Sequence, residues 1–151
     1  MPHARQLVRA AAESDLTGLA TTGGSVFVNR LSPFKAEEVP ALNIQLLDES
    51  SGWDSIGTVA RTGRLIVEGW LAREEDELLD DLDTVAAEIE AAVYAGAGAG
   101  ALSALLMNID TPTTQIDLPD GPDRGAKRLG VVRMLFPVTY RTRQGDPTTI
   151  V

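Results

Sequence analysis

The side chains that most often carry catalysis are scarce in this sequence, and their spacing points away from an active site. His3 is the single histidine and there is no cysteine, so a serine triad or a histidine-rich zinc site lacks its parts. His3 also lies where chain ends fray, and a solvated residue is expected there instead of a base or ligand. Without cysteine there are no disulfides and no thiolate nucleophile. Carboxylates are plentiful: Asp76 with Asp80, and Glu77 with Asp81, stand four apart and share a helix face. A calcium site would add a turn and backbone carbonyls in a D-x-D-x-D-G pattern, which does not occur. Gly96, Gly98 and Gly100 form a G-x-G-x-G that follows a helical pattern and not a strand, so it reads as a hinge or cap. No catalytic residue, metal ligand or cofactor is expected.

Charge is distributed unevenly. The net charge is -9, from 13 basic and 22 acidic residues, which argues against a specific nucleic-acid binder. Over 71–95 nine acids face Arg73 alone, whereas 124–143 holds Arg124, Lys127, Arg128, Arg133, Arg141 and Arg143 with no acid. Solvated faces with pairing inside one subunit explain this pattern, and so does complementarity between copies. Two tryptophans add to the question. Trp70 reads as core or sheet-face packing, with a subunit contact as the alternative. Trp53 sits among Ser51, Asp54 and Ile56 in a polar segment, and either folds back on its own sheet or docks on a partner.

These residues need elements to position them. Leu7, Val8, Ala11 and Ala12 predict a short amphipathic helix over 3–13. Residues 25–30 and 41–48 read as strands joined by a loop carrying Pro33 and Pro40, and 58–71 as a third. Between the last two, 49–57 is too polar and glycine-rich for regular structure and is expected to be a loop. From Glu74, the apolar steps Leu78, Leu82, Val85, Ile89 and Val93 mark a helix of about 20 residues, with acids in its first turns where the dipole favours them. Gly96 stands where a left-handed cap would end it. A link over 97–100, a helical turn at 101–106, an extended segment at 113–118 and a turn at 119–123 follow. The last strand, 127–143, presents Val132, Met134, Phe136, Val138 and Tyr140 on a core face, and Pro137 signals an edge or a bulge. The expected class is α+β, an α/β sandwich. Its antiparallel-rich mixed sheet would have about four to five strands, with a short N-terminal helix and one long acidic helix packed on one face.

The bulk properties agree with one domain over 1–151. The chain is 44% hydrophobic and 23% charged, with mean hydropathy -0.01, values of a folded chain and not a disordered one. Its longest uncharged apolar stretch, 91–107, is mostly Ala and Gly and falls short of the roughly 20 strongly apolar residues of a membrane helix. The first residues lead into an amphipathic segment and not an apolar signal core, so an intracellular origin is the default expectation.

The series of elements resembles a known family. A short first helix (Gln6-Leu7-Val8-Arg9-Ala10-Ala11) precedes a strand led by proline (Pro40-Ala41-Leu42-Asn43-Ile44-Gln45-Leu46), a polar segment and a strand ending Leu65-Ile66-Val67-Glu68-Gly69-Trp70-Leu71-Ala72. An acidic, leucine-rich helix (Asp76-Glu77-Leu78-Leu79-Asp80-Asp81-Leu82-Asp83) then leads to Val138-Thr139-Tyr140-Arg141. Together, over roughly 6–143, these resemble the tail terminator family of long-tailed bacteriophages, the minor tail protein U type. The resemblance implies a virion protein, assembled in the host cytoplasm, that forms a hexameric ring on the last ring of the tail tube, stops its polymerisation and presents the head-joining surface. Its implied partners are further copies of itself, the major tail tube protein and a head-completion or connector protein. No membrane is involved, and DNA passes through the lumen without specific binding.

On this reading Trp53, Asp54, Ser51 and Ile56 touch the tube or a neighbouring subunit. Asp76, Asp80 and Asp81 face Arg133, Arg141 or Arg143 of the next copy, with Trp70 as a further interface residue; a ring's heterologous contacts suit separated acidic and basic patches. The acidic helix could instead line the lumen. Rival readings are another neck protein, a small acidic interaction module, and an enzyme working through carboxylates.

Overall fold

The computed structural model describes residues 1–95, 100–119 and 127–151. The expected cap at Gly96, the link through 97–99, the turn at 120–123 and Arg124 lie outside the described residues.

Three long strands dominate: β2 (Ala41–Ser55), β3 (Thr58–Arg73) and β6 (Arg128–Arg143). A strand of 16 residues spans roughly 50 Å. β3 lies antiparallel between β2 and β6, and its ladder with β6 runs from Thr58↔Arg143 to Arg73↔Arg128 without a register shift. Short β1 (Val26–Val28) adds parallel to β2. On the far side of β6 lie β4 (Asn108–Ile109), β5 (Thr113–Asp117) and β7 (Asp146–Ile150), all antiparallel. The sheet therefore has seven strands and is mixed only through β1. The expected α+β class is borne out.

Helices cover one face. α1 (Ala4–Leu16) and α2 (Glu75–Tyr94) bury Val8, Leu16, Leu78, Leu82, Val85, Ile89 and Val93 against Leu42, Ile44, Leu65, Val67 and the even-numbered residues of β6 from Val132 to Tyr140. Each such side chain contributes roughly 1.5–3 kcal/mol through burial. α2 sits unusually close, over glycines: a Cβ on Gly69 would lie 2.6 Å from Val85 Cγ1, and one on Gly130 would lie 3.0 Å from Leu82 Cδ1. The five-residue α3 (Ala101–Leu105) is held by Asp15 at the end of α1, whose carboxylate accepts the amides of Ala101 and Leu102 at 2.9 Å each. Among the described residues no helix is long and apolar enough to cross a membrane.

Several expectations are corrected. His3 is not a frayed residue: its Nδ1 accepts the Arg5 amide at 3.1 Å and caps α1, which satisfies one of the free amides of a helix start. Residues 49–55 are strand, not loop, because Glu49 to Ser55 pair with Gly63 to Thr58 and only Ile56 and Gly57 make the turn, Gly57 with φ 82°. β6 is neither an edge strand nor bulged at Pro137. The Pro137 carbonyl accepts the Asp110 amide at 2.8 Å, and a strand residue's nitrogen and oxygen point to the same side. Its missing N–H therefore faces the place where β6 changes partner, from β4 at Val138 to β5 at Leu135.

Candidate interaction surface

Beyond the helices the β2–β3 hairpin runs on as an arm, with β6 paired along β3 as far as Thr58↔Arg143 and β7 beyond it, so that β2 is the arm's outer strand. A bulge between Leu46 and Glu49 reverses which residues face the helix side, so Glu49 turns toward α1. There its carboxylate accepts the Tyr140 hydroxyl at 2.5 Å and Arg61 Nη1 at 3.3 Å, with Arg5 3.8 Å away. Burial, and then Glu49, push the Tyr140 phenol far above its ordinary value. This layer anchors the arm's root, and Arg61 Nε extends it by donating at 2.8 Å to the hydroxyl of Thr142, which is fully buried.

Past that layer the β2 side of the arm is exposed from Ser50 to Ile56, while Thr58 to Arg61 of β3 are half-buried. Trp53 is 74% exposed and Ile56 fully so. Ser51 and Asp54 are exposed as well. Trp53 sits opposite Val59, and the Ser55 and Thr58 hydroxyls meet at 2.6 Å across the turn. The four arm residues expected to meet a partner are thus gathered on one projecting element, and Trp53 does not fold back on its own sheet.

The charged residues are placed differently from expectation. The open face of the sheet, opposite the helices, carries a row of polar groups across β2, β3, β6 and β5. Asn43 Nδ2 donates to Glu68 Oε1 at 3.1 Å; Arg133 grips Glu68 Oε2 through Nε at 3.0 Å and Nη2 at 2.7 Å, and reaches Asp117 through Nη1 at 2.8 Å. Glu68 and Asn43 are buried. Arg141 lies against the Asp54 carboxylate as an ion pair whose Nε is not aligned for a hydrogen bond. Asp81 meets Arg73 at 3.0 Å, and Arg128 approaches Glu75 at 3.6 Å.

Pairing expected between copies is therefore made inside the subunit for Arg133, Arg141 and Asp81. Of the three arginines, Arg143 alone is exposed with no ion pair among the described residues. Asp76 and Asp80 likewise face solvent from α2 without an ion pair among the described residues.

Trp70 is also corrected as an interface residue. It is 8% exposed, tilted against Phe34 with ring centroids 5.4 Å apart, and packed with Ala41 and Val131 in a second, smaller core on the open face. The Arg30 guanidinium closes that cluster 4.0 Å over the Phe34 ring.

Sequence reasoning missed Asn43, Glu68 and Asp117. Asn43 and Glu68 are polar residues inside apolar extended runs and Asp117 closes a short polar one, but only the ladder register places them side by side. Arg133→Ala is expected to lower the stability of the isolated subunit by about 2 kcal/mol, because it leaves a buried carboxylate with Asn43 as its one remaining side-chain partner. Adding Glu68→Gln should recover most of the loss. Urea denaturation checks both, and unchanged stability with weakened assembly would return Arg133 to the interface. Among the described residues no three His, Asp or Glu side chains gather to hold a metal ion. No family model matches this chain, and no curated protein does.

Proposed function

We propose that this chain is a tail terminator of a long-tailed bacteriophage, a virion protein whose copies close into a ring on the last ring of the tail tube. There it stops addition of tube protein and presents the surface to which a head-completion or connector protein joins. The observation that carries the reading is the end of the β2–β3 hairpin, where Trp53 and Ile56 stand in water. Aromatic anchors of this kind contribute most of the energy where protein surfaces meet. Two further features support it. The resemblance in element order includes the proline-led strand, the acidic helix and the closing strand. The outward acids of α2 form a negative layer that does not hold DNA phosphates, as a surface beside a DNA passage requires.

Tube polymerisation in the presence of this chain tests the reading. Tubes of restricted length, each with added density at one end in negative-stain images, are expected. Tubes of unrestricted length with bare ends would overturn it. Binding to the connector side alone would favour the rival reading as another neck protein.

A further inference from the structure

Independently of the ring reading, we infer that the outer edge of β2 at the arm is a docking site for an extended, acidic segment of another protein. The segment adds to the sheet as a further strand and sets its carboxylates against Arg5 and Arg9 of α1.

The backbone defines the edge. The Leu42 amide donates to the Ser25 carbonyl at 2.9 Å, and the Ile44 carbonyl accepts the Asn29 amide at 2.9 Å, so even-numbered residues of β2 turn their backbone groups outward here. β1 covers only this stretch, and Asn43 and Gln45 then hold the Arg30 carbonyl over the open face. The bulge after Leu46 shifts the pattern by one. The outward groups become those of Glu49, Ser51 and Trp53, which have no strand partner among the described residues. A bare edge of this kind is a template for an added strand.

Charge selects the segment. On the side of the arm that faces α1, Arg5, Arg9 and Arg61 surround one carboxylate: Glu49 has Arg61 at 3.3 Å and Arg5 at 3.8 Å, and also accepts the Tyr140 hydroxyl. Arg9 donates only to the Leu46 carbonyl, at 3.4 Å, and has no ion pair among the described residues. Three arginines against one acid leave two positive charges unmatched, in a chain whose net charge is -9. Burial, and then Arg5 beside it, hold the Arg9 guanidinium below its ordinary value, as expected of a cation short of counter-charge. The arm's other acids, Asp48 and Asp54, pair with Arg64 and Arg141 on the opposite face.

A nucleic acid would use these cations but not the edge of amides and carbonyls, whereas a polypeptide uses both. A copy of this chain is a poor source of the segment. The acids of its own strands are engaged, Asp48, Glu49, Asp54, Glu68 and Asp117 in ion pairs and Asp146 with Thr148. Those of α2 sit on a backbone already committed to helix hydrogen bonds.

The probe is a fluorescein-labelled peptide of about ten alternating glutamate and threonine residues, titrated with the full chain and read by anisotropy. In about 0.15 M salt, charges more than about 8 Å away, such as the remote acids of α2, are largely screened. The peptide should bind at least about ten-fold more tightly than its glutamine and threonine counterpart, and Arg5→Gln with Arg9→Gln should weaken it about ten-fold. Ser51→Pro removes one outward N–H without touching the ladder to β3, and should weaken binding as much. Should that variant unfold, an acidic peptide N-methylated at alternate residues asks the same of the unmodified chain. Absence of binding, equal binding of the acidic and neutral peptides, or equal binding of the N-methylated and plain ones would overturn the proposal. Displacement by an oligothymidylate of equal length would also overturn it, by making the site one for any polyanion. So would dissociation of an oligomer of this chain by the peptide, which would make a second copy the occupant.

Discussion

Trp53→Ala is expected to leave the folded subunit intact and to abolish assembly. The side chain is 74% exposed and belongs to neither buried cluster, so its loss should change subunit stability by no more than about 0.5 kcal/mol. An aromatic anchor at the centre of an interface contributes about 2–4 kcal/mol, which corresponds to association weakened by about 30-fold or more. Thermal unfolding and native mass, measured on the same sample, separate the two effects. Assembly unchanged in the variant would remove Trp53 from the interface. A large loss of thermal stability would show that the indole packs within its own subunit.

The second large effect concerns the fold. Gly69→Ala is expected to cost about 2–3 kcal/mol, because the new methyl would lie 2.6 Å from Val85 Cγ1 and 3.2 Å from Val132 Cγ1, so the buried Val85 side chain or α2 itself must shift to admit it. For a chain of this size that corresponds to about 5–10 °C in midpoint temperature. Gly52→Ala provides the control. A Cβ there meets nothing within 4 Å, so its midpoint should stay near that of the unchanged chain. Val85→Ala in the Gly69→Ala background should recover part of the loss by reopening space at the same contact. Equal effects at Gly69 and Gly52 would mean that close helix packing is not what the glycine provides.

The two predictions mark the limits of what the sequence makes legible. α2 can be read directly, since Leu78, Leu82, Val85, Ile89 and Val93 repeat at helical spacing and all five are buried. The core face of β6 follows as directly from alternation. The arm cannot be read this way. Residues 49–55 have no buried face to impose alternation, and their strand state comes from pairing with 58–63, which composition does not record. The short strands β4 and β7 also owe their existence to the length of β6, along which three partners line up in turn. Gly69 and Gly130 look like weak points in strands until α2 is laid over them.

The candidate surface divides in the same way. Trp53 and Ile56 stand out by type alone, as large apolar side chains in a polar run, and their placement on one exposed arm agrees with that reading. The acidic and basic stretches mislead because opposite charges far apart in sequence find each other across strands: Arg133 meets Glu68 through the β3–β6 register, and Arg141 meets Asp54 at the arm. Sequence separation hides such pairs. Of the charges expected to meet another copy, Arg143, Asp76 and Asp80 are the ones left without an ion pair among the described residues.

The proposed ring is tested most directly by native mass from light scattering across concentration and salt. The account predicts a closed oligomer, six times 16.1 kDa for the ring implied by the resemblance, or a monomer that converts to it as concentration rises and salt falls. The mass of a single subunit at every concentration and salt would contradict it.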